Sequence, residues 1–203
     1  MKKSGKFGNK KENKEEPEGF EDSKIRDEKG NLLELYHGSQ NEFTQFEKNK
    51  IGQGATLAAN TGNGFYFTDS EKKAIEYSKG GYNYKVYLNI QKPLIVENNL
   101  SSETTSILKE FSTKMYQKHY DEFKNKTFGK YEIFKEKETG MRSGTNILSN
   151  VVSEYGDEFT NYLKEKGYDG IKSSVTDYKN FGEKYNYVVF EPEQIKIISN
   201  KKK

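Results

Sequence analysis

The chain has 203 residues, with 34 Lys and Arg against 31 Asp and Glu, which gives a formal net charge of +3. This small excess offers no strong electrostatic argument for binding nucleic acid or an anionic membrane. Because the chain has no cysteine, disulfides, thiol nucleophiles and cysteine-ligated metals are excluded, and two histidines are too few for a histidine-rich metal site.

Aromatic content indicates a folded core, since the chain contains 15 Tyr and 13 Phe and disordered chains are poor in aromatic residues. The N-terminal Met1-Lys2-Lys3 is followed by polar residues rather than by the apolar segment of a secretory signal. No run reaches the ~18 apolar residues of a membrane span. We therefore expect a cytoplasmic protein without membrane association.

Polar segments flank the expected domain. Residues 1–24 are rich in Lys, Glu, Gly, Asn and Ser and predict a disordered lead-in in which acids cancel most of the lysines. Residues 200–203 end in three lysines and predict a basic tail. One globular domain is expected over 25–199, a usual size for a single domain.

The first expected strand covers 32–37 and stops at a Gly-Ser pair. A glycine-rich stretch follows over 52–64, and a second strand is predicted over 65–68.

A helix is predicted next, capped by Asp69 or Ser70 and continuing through residue 79, because short oxygen-bearing side chains accept hydrogen bonds from first-turn amides. Helical spacing predicts that Ala74 and Tyr77 are buried while Lys73 points outward.

Alternating apolar residues over 84–91 predict a half-buried strand that Pro93 ends, and 94–96 resumes extended structure. The alternating residues are Val86, Leu88 and Ile90.

Two amphipathic helices are expected over 101–123 and 145–166, with a polar, irregular segment at 124–144 between them. His119 falls in the apolar stripe of the first helix and is interpreted as a packing residue. The stripes are Ile107, Leu108, Phe111, Met115, His119 and Phe123, then Leu148, Val152, Tyr155, Phe159 and Leu163.

Strands are predicted again over 168–172, 186–190 and 194–198. This order of strands, helix, strands, two helices and strands favours an α+β fold with a split antiparallel sheet. Three familiar motifs are missing from the sequence: the dinucleotide-binding glycine fingerprint, the phosphate loop and the nucleophile elbow of serine hydrolases.

Four motifs occur in order: Tyr36-His37-Gly38-Ser39, Gly64-Phe65-Tyr66-Phe67-Thr68-Asp69, Ala74-Ile75-Glu76-Tyr77 and Tyr187-Val188-Val189-Phe190. Together they resemble the ADP-ribosyltransferase fold of the diphtheria-toxin and poly(ADP-ribose) polymerase type. The similarity is greatest to the ADP-ribosyltransferase-like domain of phage and mobile-element polyvalent proteins. It covers about residues 25–198, and the segment from about 100 to 145 matches poorly.

The resemblance implies NAD as the donor substrate, with no metal. It implies that His37 hydrogen-bonds the adenosine ribose, that the Gly38 backbone holds the nicotinamide carboxamide, and that Ser39 belongs to the same NAD-binding motif. It also implies that Tyr66 and Tyr77, 11 residues apart, enclose the nicotinamide ring by stacking.

One position departs from the resemblance. The family has a glutamate just before the Tyr-Val-Val-Phe-like strand, where this chain has Asn186. An amide positions a hydroxyl but carries no charge, so a neighbouring acid is a candidate for the missing carboxylate: Glu183, Glu191 or Glu193. Ala74, where polymerases often have serine, is a smaller departure.

Glu191-Pro192-Glu193 is also similar to the Glu-x-Glu element of arginine-specific transferases. Because the accompanying Arg strand and Ser-Thr-Ser motif are missing from the sequence, a plain turn is the favoured interpretation.

The resemblance implies a toxin-like mono-ADP-ribosyltransferase that modifies a macromolecule, by preference a protein, in the cytoplasm of the producing cell or of an infected or target cell. Polymer formation is not expected without the carboxylate. Two alternatives stay open: a catalytically inactive NAD- or ADP-ribose-binding module, and a nucleic-acid-binding module using the lysines, which is less favoured.

Overall fold

The computed structural model describes residues 16–52, 62–118, 144–175 and 182–203. Within these ranges the chain forms seven strands, three α-helices and two short 3-10 turns. The strands are β1 (Leu35–Ser39), β2 (Phe65–Thr68), β3 (Tyr82–Leu88), β4 (Pro93–Val96), β5 (Gly170–Ser174), β6 (Tyr185–Val189) and β7 (Ile195–Lys202). The helices are α1 (Glu71–Ser78), α2 (Ser102–Lys118) and α3 (Gly144–Glu165), and the turns are Lys48–Lys50 and Pro192–Gln194.

The described strands form one sheet in the order β4-β5-β6-β2-β1-β3-β7. The β4–β5 pair is parallel and the other pairs are antiparallel. Over their described lengths, β1 and β2 share one paired position, Tyr36 with Thr68, and then separate. The predicted α+β fold with a split sheet is confirmed, and the sheet is antiparallel as predicted except for the parallel β4–β5 pair, which the sequence pattern did not predict.

The two parts of the sheet have separate apolar cores, and β6 contributes to both. Its Val188, with the following Phe190, belongs to a core formed with β4, β5, α2 and α3. Its Tyr187 and Val189 belong to a second core formed with β1, β2, β3 and the segment around Phe46. The alternation of side chains along a strand produces this division. In the described residues, no helix is long and apolar enough to cross a bilayer.

Helix α1 begins after Ser70, whose side chain accepts a hydrogen bond from the Lys73 backbone nitrogen at 3.3 Å, as the capping pattern predicts. The predicted buried face is only partly correct. Ala74 is buried, but the second buried residue is Ser78, and Tyr77 is 45% exposed. Ser78 tolerates burial because its hydroxyl donates to the Ile75 carbonyl oxygen at 2.7 Å.

Lys73 also differs from its predicted outward position, because its side chain is only 17% exposed. Its ammonium pairs with Glu76 at 2.8 Å. Lysine buries its aliphatic stem while its charge finds a partner, so apolar periodicity does not predict its exposure.

The packed part of the chain extends beyond the predicted limits at both ends. Phe20 and Ser23, within the predicted lead-in, are buried, and the Ser23 hydroxyl donates to the Leu88 carbonyl oxygen at 2.7 Å. Strand β7 continues to Lys202, which pairs with Tyr82 of β3, so most of the predicted basic tail lies in the sheet. Residues 1–15, and the predicted helix end and irregular segment over 119–143, lie outside the described residues.

Two polar side chains tie three turns together beside the sheet. The Asp169 carboxylate accepts hydrogen bonds from the backbone nitrogens of Gln91 at 2.7 Å and Lys92 at 2.8 Å. The Gln194 amide donates to the Asn89 and Asp169 carbonyl oxygens at 3.0 and 2.7 Å. Asp169 and Gln194 therefore have a structural role, since they satisfy backbone groups that no strand pairs.

Candidate functional site

His37 lies in β1 where the strand leaves β2. Its Nδ1 is 2.8 Å from the carbonyl oxygen of Tyr66 in β2. A carbonyl oxygen only accepts, so Nδ1 carries the proton and donates. In the neutral ring Nε2 is consequently an acceptor, which suits a ligand hydroxyl.

Four aromatic rings surround the His37 imidazole, with centroids 5.1–6.3 Å away. They are Phe43, Phe46, Phe67 and Tyr84. Burial lowers the pKa of His37 below its ordinary value, and the hydrogen bond to Tyr66 only partly opposes this shift. The histidine is therefore held neutral with a fixed tautomer.

A cavity of about 690 Å³ opens where the two parts of the sheet separate. This volume lies in the range of small-molecule sites, ~300–1,000 Å³. The residues that border it include His37, Gly38, Ser39, Tyr66, Tyr77 and Asn186, together with Thr68 and Lys50. The five residues predicted to bind NAD and the one at the departing position thus lie around one space.

Tyr66 and Tyr77 approach the cavity from different elements. Tyr66, in β2, is half-buried, and its hydroxyl donates to the Gly62 carbonyl oxygen. Tyr77, in α1, is exposed, and the Lys73 ammonium lies 4.9 Å from the centroid of its ring. One ring is thus fixed by the sheet and the other is held by a cation–π contact.

Gly38 has a packing role that the sequence did not indicate. A β-carbon at this position would lie 1.9 Å from the carbonyl oxygen of Ala74 and 2.7 Å from the backbone nitrogen of Ser78. Only glycine therefore allows β1 to pass this close to α1. Ser39 forms a local turn, because its hydroxyl donates to the Asn41 carbonyl oxygen at 2.9 Å and accepts from the Asn41 nitrogen at 3.2 Å.

Asn186 is in β6, paired with Thr68 of β2 on one side and with Ser173 of β5 on the other. It is half-buried and borders the cavity. The register brings the Thr68 hydroxyl beside it, because paired residues project from the same face of a sheet. Sequence reasoning did not select Thr68, since strand register is not visible in a single sequence.

Glu183 is a buried carboxyl group close to this position, with 2% of its surface exposed. Burial raises its pKa, while a hydrogen bond from the Thr68 hydroxyl and the nearby charge of Lys73 oppose the rise. The negative charges of Asp69 and Glu76 add to it. Glu183 does not itself border the cavity, but its hydrogen-bond partner Thr68 does. A buried carboxyl group with a perturbed pKa, one side chain away from a cavity, is a candidate for function.

The two other predicted acids lie elsewhere. Glu191 caps the 3-10 turn after β6, and its carboxylate pairs with Lys164 at 2.7 Å and with Lys48. Burial opposes the shift, but these two lysines lower the pKa of Glu191. Among the described residues that border the cavity, neither Glu191 nor Glu193 is found. At ~3.3 Å per residue of extended chain, Glu191 is roughly 16 Å along the chain from Asn186.

His119, predicted as a packing residue, lies outside the described residues. The described ranges contain no group of three or more His, Cys, Asp or Glu side chains that could hold a metal ion.

A split, largely antiparallel α+β sheet with a histidine at the separation and two tyrosines around the adjoining cavity agrees with what the resemblance to ADP-ribosyltransferases implies. The family model of ADP-ribosyltransferases in polyvalent proteins matches residues 27–203. The chain belongs to this family, whose members use NAD as substrate. A search of curated proteins finds no match to the chain.

Proposed function

We propose that this domain is a mono-ADP-ribosyltransferase that moves ADP-ribose from NAD onto a macromolecular acceptor, by preference a protein, and releases nicotinamide. The observation that carries the proposal is the cavity at the sheet separation, which His37, Tyr66 and Tyr77 border together. The site of action is proposed to be the cytoplasm of the producing cell or of an infected or target cell.

The residues fit NAD by their chemistry. The neutral imidazole of His37 has an acceptor nitrogen that suits a ribose hydroxyl. The faces of Tyr66 and Tyr77 suit a flat nicotinamide ring, and the ammonium of Lys50, also on the border of the cavity, suits a pyrophosphate. NAD supplies a glycosidic bond whose cleavage leaves positive charge on the ribose, as in glycoside hydrolysis.

Asn186 limits the chemistry that is proposed. Its amide can orient a ribose hydroxyl from the position where other family members have a glutamate, but it supplies no negative charge. Chain elongation to poly(ADP-ribose) is therefore not proposed.

The purified protein is incubated with NAD, and nicotinamide release is measured by chromatography. NAD binding is measured separately by calorimetry. We expect NAD to bind and nicotinamide to appear at a rate proportional to enzyme, faster with acceptor present. His37→Ala should lose NAD affinity. Release that continues at the wild-type rate in His37→Ala would place the reaction outside this cavity.

A second candidate, the inactive NAD- or ADP-ribose-binding module, is favoured by Asn186. It predicts binding without nicotinamide release, both in the wild type and in Asn186→Glu. The nucleic-acid-binding alternative predicts instead a steep loss of affinity with salt and indifference to NAD.

A further inference from the structure

Glu183 and Thr68 connect a buried carboxylate to the cavity. Glu183 lies three residues before Asn186 and is almost fully buried. Its carboxylate receives a hydrogen bond from the Thr68 hydroxyl. Thr68 borders the cavity and is the cross-strand partner of Asn186. The carboxylate therefore lies one hydroxyl group away from the position where the family glutamate would act.

The donor and acceptor sites of the Thr68 hydroxyl decide which way its hydrogen bonds run. A hydroxyl group has one donor and two acceptor sites. The Thr68 proton is directed to Glu183, and one acceptor site receives the Ser70 backbone N–H at 3.0 Å. The other acceptor site can receive a hydroxyl proton from a molecule in the cavity. A molecule that donated there would complete a chain of hydrogen bonds in one direction, from that molecule through Thr68 to Glu183.

We propose that Glu183 is a positioning residue that supplies, through the Thr68 hydroxyl, the negative charge that Asn186 lacks. The inference rests on the proposed function. A ribose hydroxyl donates to Thr68 Oγ1 while Thr68 donates to the carboxylate, so both hydroxyl groups are polarised toward negative oxygen. The C–N bond to nicotinamide breaks with its electron pair on the nicotinamide nitrogen, and the ribose takes the positive charge. No proton moves in this bond-breaking step, and the acceptor group or water that then bonds to the ribose carbon releases its proton to solvent.

A backbone contact fixes the segment that carries Glu183. The Asp69 carboxylate accepts from the Lys184 backbone nitrogen at 2.9 Å, which joins the segment before β6 to the segment after β2. The charged groups facing Glu183 are Lys73 and Glu76 from α1 and Asp69 from the connection to α1. A preorganised charge of this kind acts on a transition state without reorganisation.

The variants that test the proposal are Glu183→Gln, Thr68→Val and Thr68→Ser. Glu97→Gln is the matched control, because it removes the same charge at an exposed site after β4. NAD affinity, kcat for nicotinamide release and the pH dependence of kcat are measured for each. A carbon-13 titration of the Glu183 carboxyl group in the protein without NAD gives a readout that does not depend on turnover.

We expect Glu183→Gln and Thr68→Val to lower kcat by about 10- to 100-fold with NAD affinity within about twofold of wild type. Thr68→Ser, which keeps the hydroxyl, should restore kcat. In the wild type, kcat should fall as the pH is lowered through the raised pKa of Glu183, and this limb should vanish in Glu183→Gln. In the carbon-13 titration, Thr68→Val should raise the midpoint of Glu183 further, because it removes a hydrogen bond to the charged form.

The outcomes separate this proposal from the proposed function. If the wild type turns over but Glu183→Gln keeps both its rate and the pH limb, the role of Glu183 is overturned while the transferase stands. If the wild type neither binds nor cleaves NAD, the proposed function fails. An unchanged carbon-13 midpoint in Thr68→Val overturns the Thr68–Glu183 connection in either case, including one in which Glu183→Gln does not fold.

Discussion

The imidazole Nδ1 of His37 donates a 2.8 Å hydrogen bond to the backbone carbonyl oxygen of Tyr66, across the gap that opens between β1 and β2. The side chain thus provides an inter-strand bond beyond the one paired position of these strands, Tyr36 with Thr68. This contact holds the two edges of the cavity together and fixes the tautomer that presents Nε2 as an acceptor.

The first prediction concerns the pH dependence of stability. The folded state lowers the pKa of His37 below its unfolded value of 6.5. At a pH between the folded-state pKa and the unfolded-state pKa of His37, the unfolded chain binds a proton that the folded chain does not. The free energy of unfolding should therefore decrease as the pH falls from about 6.5. Urea unfolding at a series of pH values measures this decrease.

His37→Asn is the matched variant for this prediction. Its amide can take over the donor role of Nδ1 toward Tyr66, but it does not titrate. The decrease below pH 6.5 that belongs to His37 should disappear in this variant. An identical slope in both proteins would show that another group causes it.

The second prediction separates binding from packing at the two tyrosines. Tyr77 is exposed in the free protein, so Tyr77→Ala should change the free energy of unfolding by less than ~1 kcal/mol. It should weaken NAD binding by ~1–3 kcal/mol if the ring stacks on nicotinamide. Tyr77→Phe should bind NAD as the wild type does, and Tyr87→Ala, in β3 outside the cavity, is the control for loss of a tyrosine. Calorimetric titration measures the affinities.

Tyr66→Ala should combine both effects, because Tyr66 is half-buried against the core of α2 and α3. If Tyr77→Ala retained full NAD affinity, the stacking role assigned to α1 would be wrong.

The third prediction concerns Asn186. A glutamate at this position would place a negative charge directly in the cavity, so Asn186→Glu should raise the rate of nicotinamide release by ~10- to 100-fold. NAD affinity should change little. Asn186→Gln is the control for side-chain length, and it should stay near the wild-type rate. Equal rates in all three proteins would show that charge at position 186 does not limit the reaction.

The fourth prediction tests the structural role of Asp169. Asp169→Asn replaces one acceptor oxygen by an NH₂ group facing the backbone N–H of Gln91 or Lys92. It should therefore lower the free energy of unfolding by ~1–3 kcal/mol. NAD affinity, measured below the unfolding transition, should be unaffected. A loss of affinity with unchanged stability would instead make Asp169 part of the site.

The elements with a strong apolar pattern could be predicted from the sequence. Val86, Leu88 and Ile90 are buried as their alternation indicated, and β2 has the predicted limits. The end of β7 was not predictable in the same way, because an edge strand pairs through its backbone and tolerates lysine side chains. Its Lys202 looks like part of a tail until its pairing with Tyr82 is known.

The site was predictable where residue type alone carries the chemistry, as for His37. Register decides the rest: Thr68 becomes relevant only because β2 and β6 pair it with Asn186. Glu191 follows β6 closely in sequence, yet lysines from two other segments hold it at the 3-10 turn. Single-sequence reasoning cannot distinguish such acids, because their partners are distant along the chain.

The close approach of β1 to α1 at Gly38 sets the position of Tyr77, because α1 carries this tyrosine. A methyl group at residue 38 would clash with the Ala74 carbonyl oxygen. Gly38→Ala would thereby push outward the helix that carries the stacking ring, while leaving the side chains of His37, Thr68 and Asn186 unaltered. The width of the cleft thus depends on the absence of one methyl group, and Gly38→Ala would give a form in which the distance between β1 and the Tyr77 ring is changed while the side chains of His37, Thr68 and Asn186 are all retained.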